Sequence, residues 1–209
     1  LDVKAIHINH NLSKHSAMWE NHCIETCSKL NINLITESIE IKVDGGGLES
    51  ASRKARYRVF EKILNAGDQL LLGHHSDDVT ETLFMRLLRG TGPDGMEGPK
   101  LQRSLGKGVL IRPFLEISKK QILDYLNINN IDYIEDDSNL SNDFDRNYLR
   151  NEIFPMLERK WNNFPNRINN FSKIIKDRNN SYSYLMHEKY NDLITNSIDL
   201  KKLRELSNP

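Results

Sequence analysis

Between Val3 and Arg89 the chain alternates three times between a short β-like run and a stretch with apolar residues at helical spacing, and this alternation restricts the fold more than any other feature. Val3-Lys4-Ala5-Ile6-His7-Ile8 alternates and runs into a turn-forming stretch from Asn9 to Ser13. Ala17 to Leu30 places Cys23, Ile24, Cys27 and Leu30 at helical spacing. Leu34 to Val43 returns to a β pattern that Gly45-Gly46-Gly47 breaks, and Leu48 to Ala66 carries Ala55, Val59 and Ile63 as one stripe. Gln69-Leu70-Leu71-Leu72 has the apolar character of a buried parallel strand, and a third helix is expected from about Asp77 to Arg89. Strands separated by helices through short connections make a parallel sheet covered by helices. The expected fold is α/β, a doubly wound, mostly parallel, Rossmann-like sheet followed by a smaller helical segment.

Past Arg89 the pattern loosens. Gly90 to Gly108 reads as a glycine-rich loop, Val109 to Phe114 as a strand, and Ser118-Lys119-Lys120-Gln121 as a capping box opening a helix. Ile131 to Ile134 is expected to be a brief strand and Glu135 to Asp145 an acidic loop. From Arg146 onward the pattern is helical, with interruptions at Pro155 and Pro165. A boundary near Pro155 to Asn163 divides a domain of residues 1–157 from a helical segment of residues 158–209.

Lysine plus arginine and aspartate plus glutamate are equal at 29 each, so bulk charge carries no sign of a nucleic-acid partner. The stretch from Arg146 to Arg178 does, with eight basic and three acidic residues and Trp161, Phe164 and Phe171 interleaved. Such a stretch could lie against a phosphate backbone, but on the residues alone a solvated helix face is the better account. Cys23 and Cys27 are four apart in a helical pattern, which suits core thiols and a reducing cytoplasm better than a disulfide or a zinc site. No apolar run approaches the ~20 residues of a membrane span, so no membrane partner is expected. The chain opens on Leu1, not methionine, and is expected to begin inside a longer gene product.

Gly73-His74-His75-Ser76-Asp77-Asp78-Val79-Thr80-Glu81-Thr82 follows the third strand directly and opens a helix. In open parallel sheets ligands sit at the carboxyl ends of strands. His74, Asp78 and Glu81 share one helix face if the helix begins by His74. Two carboxylates so close repel, and a cation between them, magnesium or a substrate ammonium, would relieve the strain. Helix capping by Asp77 and a dipole contribution from Asp78 account for the same residues one by one. Arg86 and Arg89 precede Gly90-Thr91-Gly92, which suits either phosphate, through free backbone amides, or a helix end. Arg53 and Arg56 are three apart on the second helix and can face the mouth that His74 faces, where a guanidinium suits phosphate or a developing oxyanion. His10, at the end of the first strand, can line the same cleft. Gly45-Gly46-Gly47 lacks the residues of a phosphate loop and is discounted.

The run from His74 to Thr82, continued by Met85-Arg86-Leu87-Leu88-Arg89-Gly90-Thr91-Gly92, resembles the tRNA(Ile)-lysidine synthetases, members of the N-type ATP pyrophosphatase superfamily. Glu49-Ser50-Ala51-Ser52-Arg53-Lys54-Ala55-Arg56-Tyr57 is similar to the family's Glu-x-x-Ala-Arg-x-x-Arg-Tyr helix, with Ser52 in place of alanine. His7-Ile8-Asn9-His10-Asn11-Leu12 is similar to its second strand, with Ser13 where arginine is frequent. Ile111-Arg112-Pro113-Phe114 and Glu135-Asp136-Asp137-Ser138-Asn139, with Arg146-Asn147 and Arg150, are similar to the segment closing its catalytic domain. The resemblance runs from about Ala5 to Leu157.

The resemblance implies an adenine nucleotide alpha hydrolase-like fold and a ligase acting in two steps. ATP, with Mg2+, adenylates the carbonyl oxygen of the wobble cytidine of tRNA(Ile) with a CAU anticodon and releases pyrophosphate. The side-chain amine of free lysine then displaces AMP to give lysidine. The roles it implies are catalytic for Arg53, His74, Asp78 and Glu81, with Asp78 or Glu81 also a magnesium candidate. ATP or phosphate falls to Arg89, Gly90, Gly92 and His10, and tRNA to Arg56, Arg112, Arg146 and Arg150. The family's opening strand and Ser-Gly-Gly-x-Asp-Ser loop would precede Leu1, so the chain by itself is expected to be inactive. A homodimer stays open. The competing expectations are a tRNA cytidine thiolase of the same superfamily, which needs a Cys-x-x-Cys pair, and a non-catalytic RNA-binding remnant.

Overall fold

The computed structural model describes residues 2–42 and 47–190 and resolves into two compact units. The first comprises residues up to Gly73, Leu101–Pro113 and Ile131–Ile134. Its elements are β1 (Lys4–Asn9), α1 (Ser16–Lys29), β2 (Asn33–Ser38), α2 (Gly47–Ile63), β3 (Gln69–Leu71), β4 (Gln102–Leu105) and β5 (Gly108–Ile111). The first strands pair in parallel, from Lys4 opposite Asn33 to Asn9 opposite Ser38. β5 lies between β3, to which it is parallel, and β4, to which it is antiparallel. One core serves these elements: Phe60, Leu64, Leu70, Leu105 and Leu110 are buried together, and Ile6, Ile8, Tyr57 and Leu72 pack against them. The alternation in β1 thus places Ile6 and Ile8 against the core that Phe60 of α2 enters, whereas Ala55, Val59 and Ile63 of the expected stripe are only half-buried.

The strand expectations hold in direction and need correcting in extent. The expected glycine-rich loop from Gly90 to Gly108 contains a 3-10 turn at Pro93–Glu97 and all of β4. Gln102-Arg103-Ser104-Leu105 has too little apolar character to signal a strand, and pairing with β5 supplies its order. Gly106, with φ at 55°, makes the tight connection. At Gly108 a β-carbon would stand 2.7 Å from the Asp68 carbonyl oxygen, so only glycine lets β5 approach β3 this closely. β3 is not buried on both faces: Leu70 is buried, whereas Leu71 is 62% exposed. Ile131–Ile134 forms no strand among the described residues. Gly45 and Gly46, and the far end of the expected second strand at Val43, lie outside the described residues.

The second unit comprises His74–Lys100, Phe114–Asn130 and the chain from Glu135. It contains α3 (Ser76–Leu88), α4 (Lys119–Ile128), a 3-10 turn (Asp137–Leu140), α5 (Asp145–Tyr148), a π-helical turn (Leu149–Ile153), α6 (Phe154–Lys160) and α7 (Phe164–Tyr190). Phe84, Phe154 and Phe164 meet edge to face at centroid distances of 5.2, 5.2 and 6.0 Å and tie α3, α6 and α7 together. Pro155 does not stop the helix as expected. The ladder widens into the π turn before it, which accommodates the missing N–H. Pro165 sits in the first turn of α7, where no intrahelical donor is needed. The Glu158 carboxylate caps that helix, accepting from the N–H groups of Asn163 and Phe164 at 2.7 and 3.3 Å.

Helix ends follow the sequence closely. Ser118 and Gln121 form the expected reciprocal cap of α4, at 3.2 and 2.9 Å. Asn31 and Asn130 take left-handed backbone conformations just past α1 and α4, where asparagine is tolerated. No helix among the described residues is long and apolar enough to cross a membrane.

Candidate functional site

In the second unit the site is built on the first turns of α3. That helix begins at Ser76, not by His74, so His74 precedes it and the shared helical face of His74, Asp78 and Glu81 is corrected to Asp78 and Glu81 alone. The Asp78 carboxylate accepts from the His75 N–H at 3.0 Å, closing one of the open donors of the helix start. Asp77 accepts from the Lys119 N–H at 2.8 Å and lies 3.5 Å from His75 Nδ1. The His75 side chain, with the Lys119 N–H, holds the Asp77 carboxyl down at about 2 against the opposing effect of burial. Burial works against a charged His75, but Asp77 and Asp78 outweigh it and raise its pKa. Asp77 is therefore a clamp between the starts of α3 and α4, a role its sequence spacing gave no reason to expect.

Glu81, one turn further on, is 1% exposed. Arg150 reaches it as a fork, Nε donating to Oε1 at 2.7 Å and Nη2 to Oε2 at 3.0 Å. Arg146 Nε stands 3.4 Å from Oε2, and Arg150 Nη2 is 3.9 Å from Asp78 Oδ1. The cation expected between the two acids is thus an arginine of the chain itself. Burial raises the Glu81 pKa, and the hydrogen bonds and charge of Arg150 oppose that rise. Both oxygens of Glu81 are committed to Arg150, and among the described residues no group of three or more His, Cys, Asp or Glu side chains converges as a metal site. The donor set at Asp78 and Glu81 does not fit a magnesium ion.

The helix that delivers Arg146 and Arg150 also holds the acidic loop before it. Asn147 Nδ2 donates to the carbonyls of Ser138 and Ser141, both at 2.8 Å, and Asn151 Nδ2 to the carbonyl of Asn139 at 3.0 Å. Arg150 Nη1 reaches Asn139 Oδ1 at 3.4 Å. Residues at 147, 150 and 151 share a helix side, so one side grips the loop and Glu81 at once. On the opposite flank of α3, the Thr80 hydroxyl lies 3.1 Å from Asn169 Oδ1 of α7. Asn147 stands out in the sequence only through the family resemblance, and Asn151 and Asn169 not at all, because nothing about an isolated asparagine marks it as a tertiary bond.

Arg89, Gly90 and Gly92 lie at the other end of α3. The Gly90 N–H donates to the Leu87 carbonyl at 3.0 Å and the Thr91 N–H to the Arg86 carbonyl at 3.1 Å, with Gly90 at φ 73°. These are the bonds of a helix end closed by a left-handed glycine. The Gly90 amide, expected to be open to phosphate, is already used. Gly92 precedes the 3-10 turn, and Arg89 is exposed. Phe164, counted among aromatics suited to a nucleic-acid face, is buried in the phenylalanine cluster, whereas Trp161 and Phe171 are about half exposed.

The remaining expected residues belong to the first unit. Tyr57 of α2 is their hub. Arg53 Nη2 donates to its hydroxyl at 3.3 Å, with the guanidinium 4.9 Å from the ring centroid. Arg112 Nη2 donates at 3.5 Å, and Arg103, on the unforeseen strand β4, stacks at 5.1 Å. Burial opposes ionisation of the phenol, yet the three arginines together lower its pKa. Arg112, expected to touch tRNA, is only 4% exposed and is set into this cluster. His10 is half-buried beyond the end of β1, and its pKa is lowered by burial, then by the charges of Arg56 and His7. Cys23 Sγ is 3.5 Å from His7 Nδ1.

The fold and these sites define a class before they define a reaction. A solved structure of the U34-tRNA thiolase NcsA from Methanococcus maripaludis, with its [4Fe-4S] cluster, superposes with a TM-score of 0.63 at 15% identity, covering 84% of this chain and 62% of that one. The shared fold is the adenine nucleotide alpha hydrolase type. The chain belongs to the PP-loop domain family, whose model matches residues 1–157. Among curated relatives, the tRNA(Ile)-lysidine synthase of Coxiella burnetii is 41% identical over 160 residues, 76% of this chain and 36% of that protein. That of Buchnera aphidicola subsp. Schizaphis graminum is 36% identical over 209 residues, 99% and 47% respectively, and that of Wigglesworthia glossinidia brevipalpis 35% over 198 residues, 95% and 50%. The chain spans about a third to a half of these relatives.

Proposed function

We propose that the chain supplies the catalytic-domain residues of a tRNA(Ile)-lysidine synthetase. In this reading ATP adenylates the C2 carbonyl oxygen of the wobble cytidine in tRNA(Ile) with a CAU anticodon, and pyrophosphate leaves. The ε-amine of lysine then attacks C2, the C–O bond to AMP breaks, and the amine gives up a proton. The observation carrying this is the first two turns of α3, where a partly exposed carboxylate, Asp78, stands beside the buried Glu81 and Arg150 pair. The relatives that share this chain's sequence over three quarters or more of its length bear that enzyme's name.

Asp78 would receive the lysine ammonium, and the buried Glu81 would stay paired with Arg150. His74 would assist at the reacting base or phosphate, and Arg53 would steady charge that develops during adenylyl transfer. His10, Arg89 and Gly92 are the phosphate candidates, and Arg56 and Arg146 the tRNA contacts. ATP chemistry of this kind ordinarily runs on a magnesium complex, and Asp78 and Glu81 would not be the residues that hold the metal. The domain would be residues 1–157, residues 158–209 would lead toward tRNA-binding parts, and the reaction belongs in the cytoplasm.

The test is incorporation of labelled lysine into an isoleucine tRNA transcript by the complete gene product. Labelling is expected only with ATP, and Asp78→Asn is expected to impair it far more than Asp77→Asn. Labelling without ATP, or equal labelling of unrelated tRNAs, refutes the reading. Iron and labile sulfide in the purified protein, with thiolation in place of lysine transfer, would favour the thiolase instead.

A further inference from the structure

The two acids at the start of α3 are not equivalent. Glu81 is almost wholly buried, and the Arg150 fork and Arg146 occupy its oxygens. Asp78 keeps about a fifth of its side chain in contact with solvent. Its Oδ2 accepts the His75 N–H, while Oδ1 lies 3.9 Å from Arg150 Nη2, too far for a good hydrogen bond. A ligand ammonium arriving here therefore meets one available carboxylate oxygen.

Could the ammonium instead displace Arg150 and bind both acids? Magnitude argues against it. The exchange would trade a two-bond charged fork for one ammonium contact and leave the part-buried guanidinium without Glu81, so it runs uphill. The fork is also braced: Nη1 of the same guanidinium bonds Asn139, whose loop Asn147 and Asn151 hold in turn.

We propose that Arg150 is a positioning residue, which anchors Glu81 out of reach of the substrate and leaves Asp78 Oδ1 as the single acidic contact for the substrate's ammonium group. Resting on the lysine-transfer reading, this departs from the expectation that Arg150 contacts tRNA and from the idea that both acids bind the amine. Arg150 and Glu81 act as a neutral unit, and their joint replacement by another hydrogen-bonded neutral pair preserves the amine site.

The experiment uses the complete gene product with tRNA, ATP and labelled lysine, measuring the lysine KM, the tRNA KM and the melting temperature. Asp78→Asn is expected to raise the lysine KM about 10–100-fold, the worth of one charge-assisted hydrogen bond, with little change in melting temperature. Glu81→Gln alone loses both stability and activity, because it leaves Arg150 without its charge partner. The double variant Glu81→Gln/Arg150→Gln leaves Arg146 facing a neutral amide and is expected to melt lower, yet to return the lysine KM to within about 3-fold of the parent, since the amine contact at Asp78 is kept. A double variant whose lysine KM stays as high as that of Asp78→Asn overturns the proposal, because Glu81 then touches the amine itself. If the double variant does not fold, Arg150→Lys decides. The proposal expects a lower melting temperature with both KM values within about 3-fold of the parent. A raised tRNA KM, or a lysine KM raised as in Asp78→Asn, overturns it. Absence of lysine transfer by the parent enzyme would instead sink the functional reading, so the two failures are distinct.

Discussion

Replacing Arg150 by alanine probes the core of the second unit without touching its apolar packing. The change removes hydrogen bonds of 2.7 and 3.0 Å to a carboxylate that is 1% exposed. Breaking a buried pair costs roughly 3–5 kcal/mol, and we expect about 3 because Arg146 remains 3.4 Å from Glu81. For a chain of this size each kcal/mol moves the melting temperature by about 2–4 °C, which predicts a fall of about 6–12 °C. Proton linkage supplies a second signature. Burial already raises the Glu81 pKa above its ordinary 4.5, and without Arg150 the rise grows. A folded state that binds a proton the unfolded chain releases loses stability as pH climbs through that window. The variant's deficit should thus be smaller at pH 5 than at pH 8. Thermal unfolding followed by circular dichroism at the two pH values measures both effects. A shift below about 2 °C, or one equal at both pH values, would refute the claim that Arg150 compensates a desolvated carboxylate.

Other outcomes follow from single contacts. The Asp77 carboxyl titrates at about 2 in the folded protein against 3.8 ordinarily, so its stabilisation is present above about pH 4 and disappears as pH falls toward 2. Asp77→Asn should flatten that part of an acid-unfolding curve, and an unchanged curve would count against the clamp. Gly108→Ala should destabilise the first unit by about 1–3 kcal/mol, because its β-carbon would meet the Asp68 carbonyl oxygen at 2.7 Å; urea unfolding checks this. Asn147→Ala leaves the Ser138 and Ser141 carbonyls without their donor and should speed amide hydrogen exchange across residues 137–142.

Much of the architecture was legible because it rests on local rules. Apolar spacing located α1, α2 and α3, and the serine and glutamine of the α4 cap announced its start, whereas Gly90 suited a phosphate site or the end of α3 until the tertiary structure showed the latter. The strand β4 was not legible, since Gln102-Arg103-Ser104-Leu105 becomes a strand only through its ladder to β5. At Pro155 the local rule misled: a break was expected, and the helix passes through by widening.

The candidate site divides the same way. Sequence alone showed that the run from His74 to Glu81 follows a strand and leads into a helix, and that Arg53, Arg56, Arg146 and Arg150 carry positive charge. Two acids three residues apart on a helix are best tolerated with a cation between them. Which cation is a question about a residue sixty-nine positions away, and side-chain identity is silent on it. Only tertiary packing brings Arg150 onto Glu81, excludes water from that carboxylate and leaves Asp78 partly in solvent. Spacing along a chain fixes which groups share a helix face, whereas desolvation and pairing depend on what the rest of the molecule lays against that face.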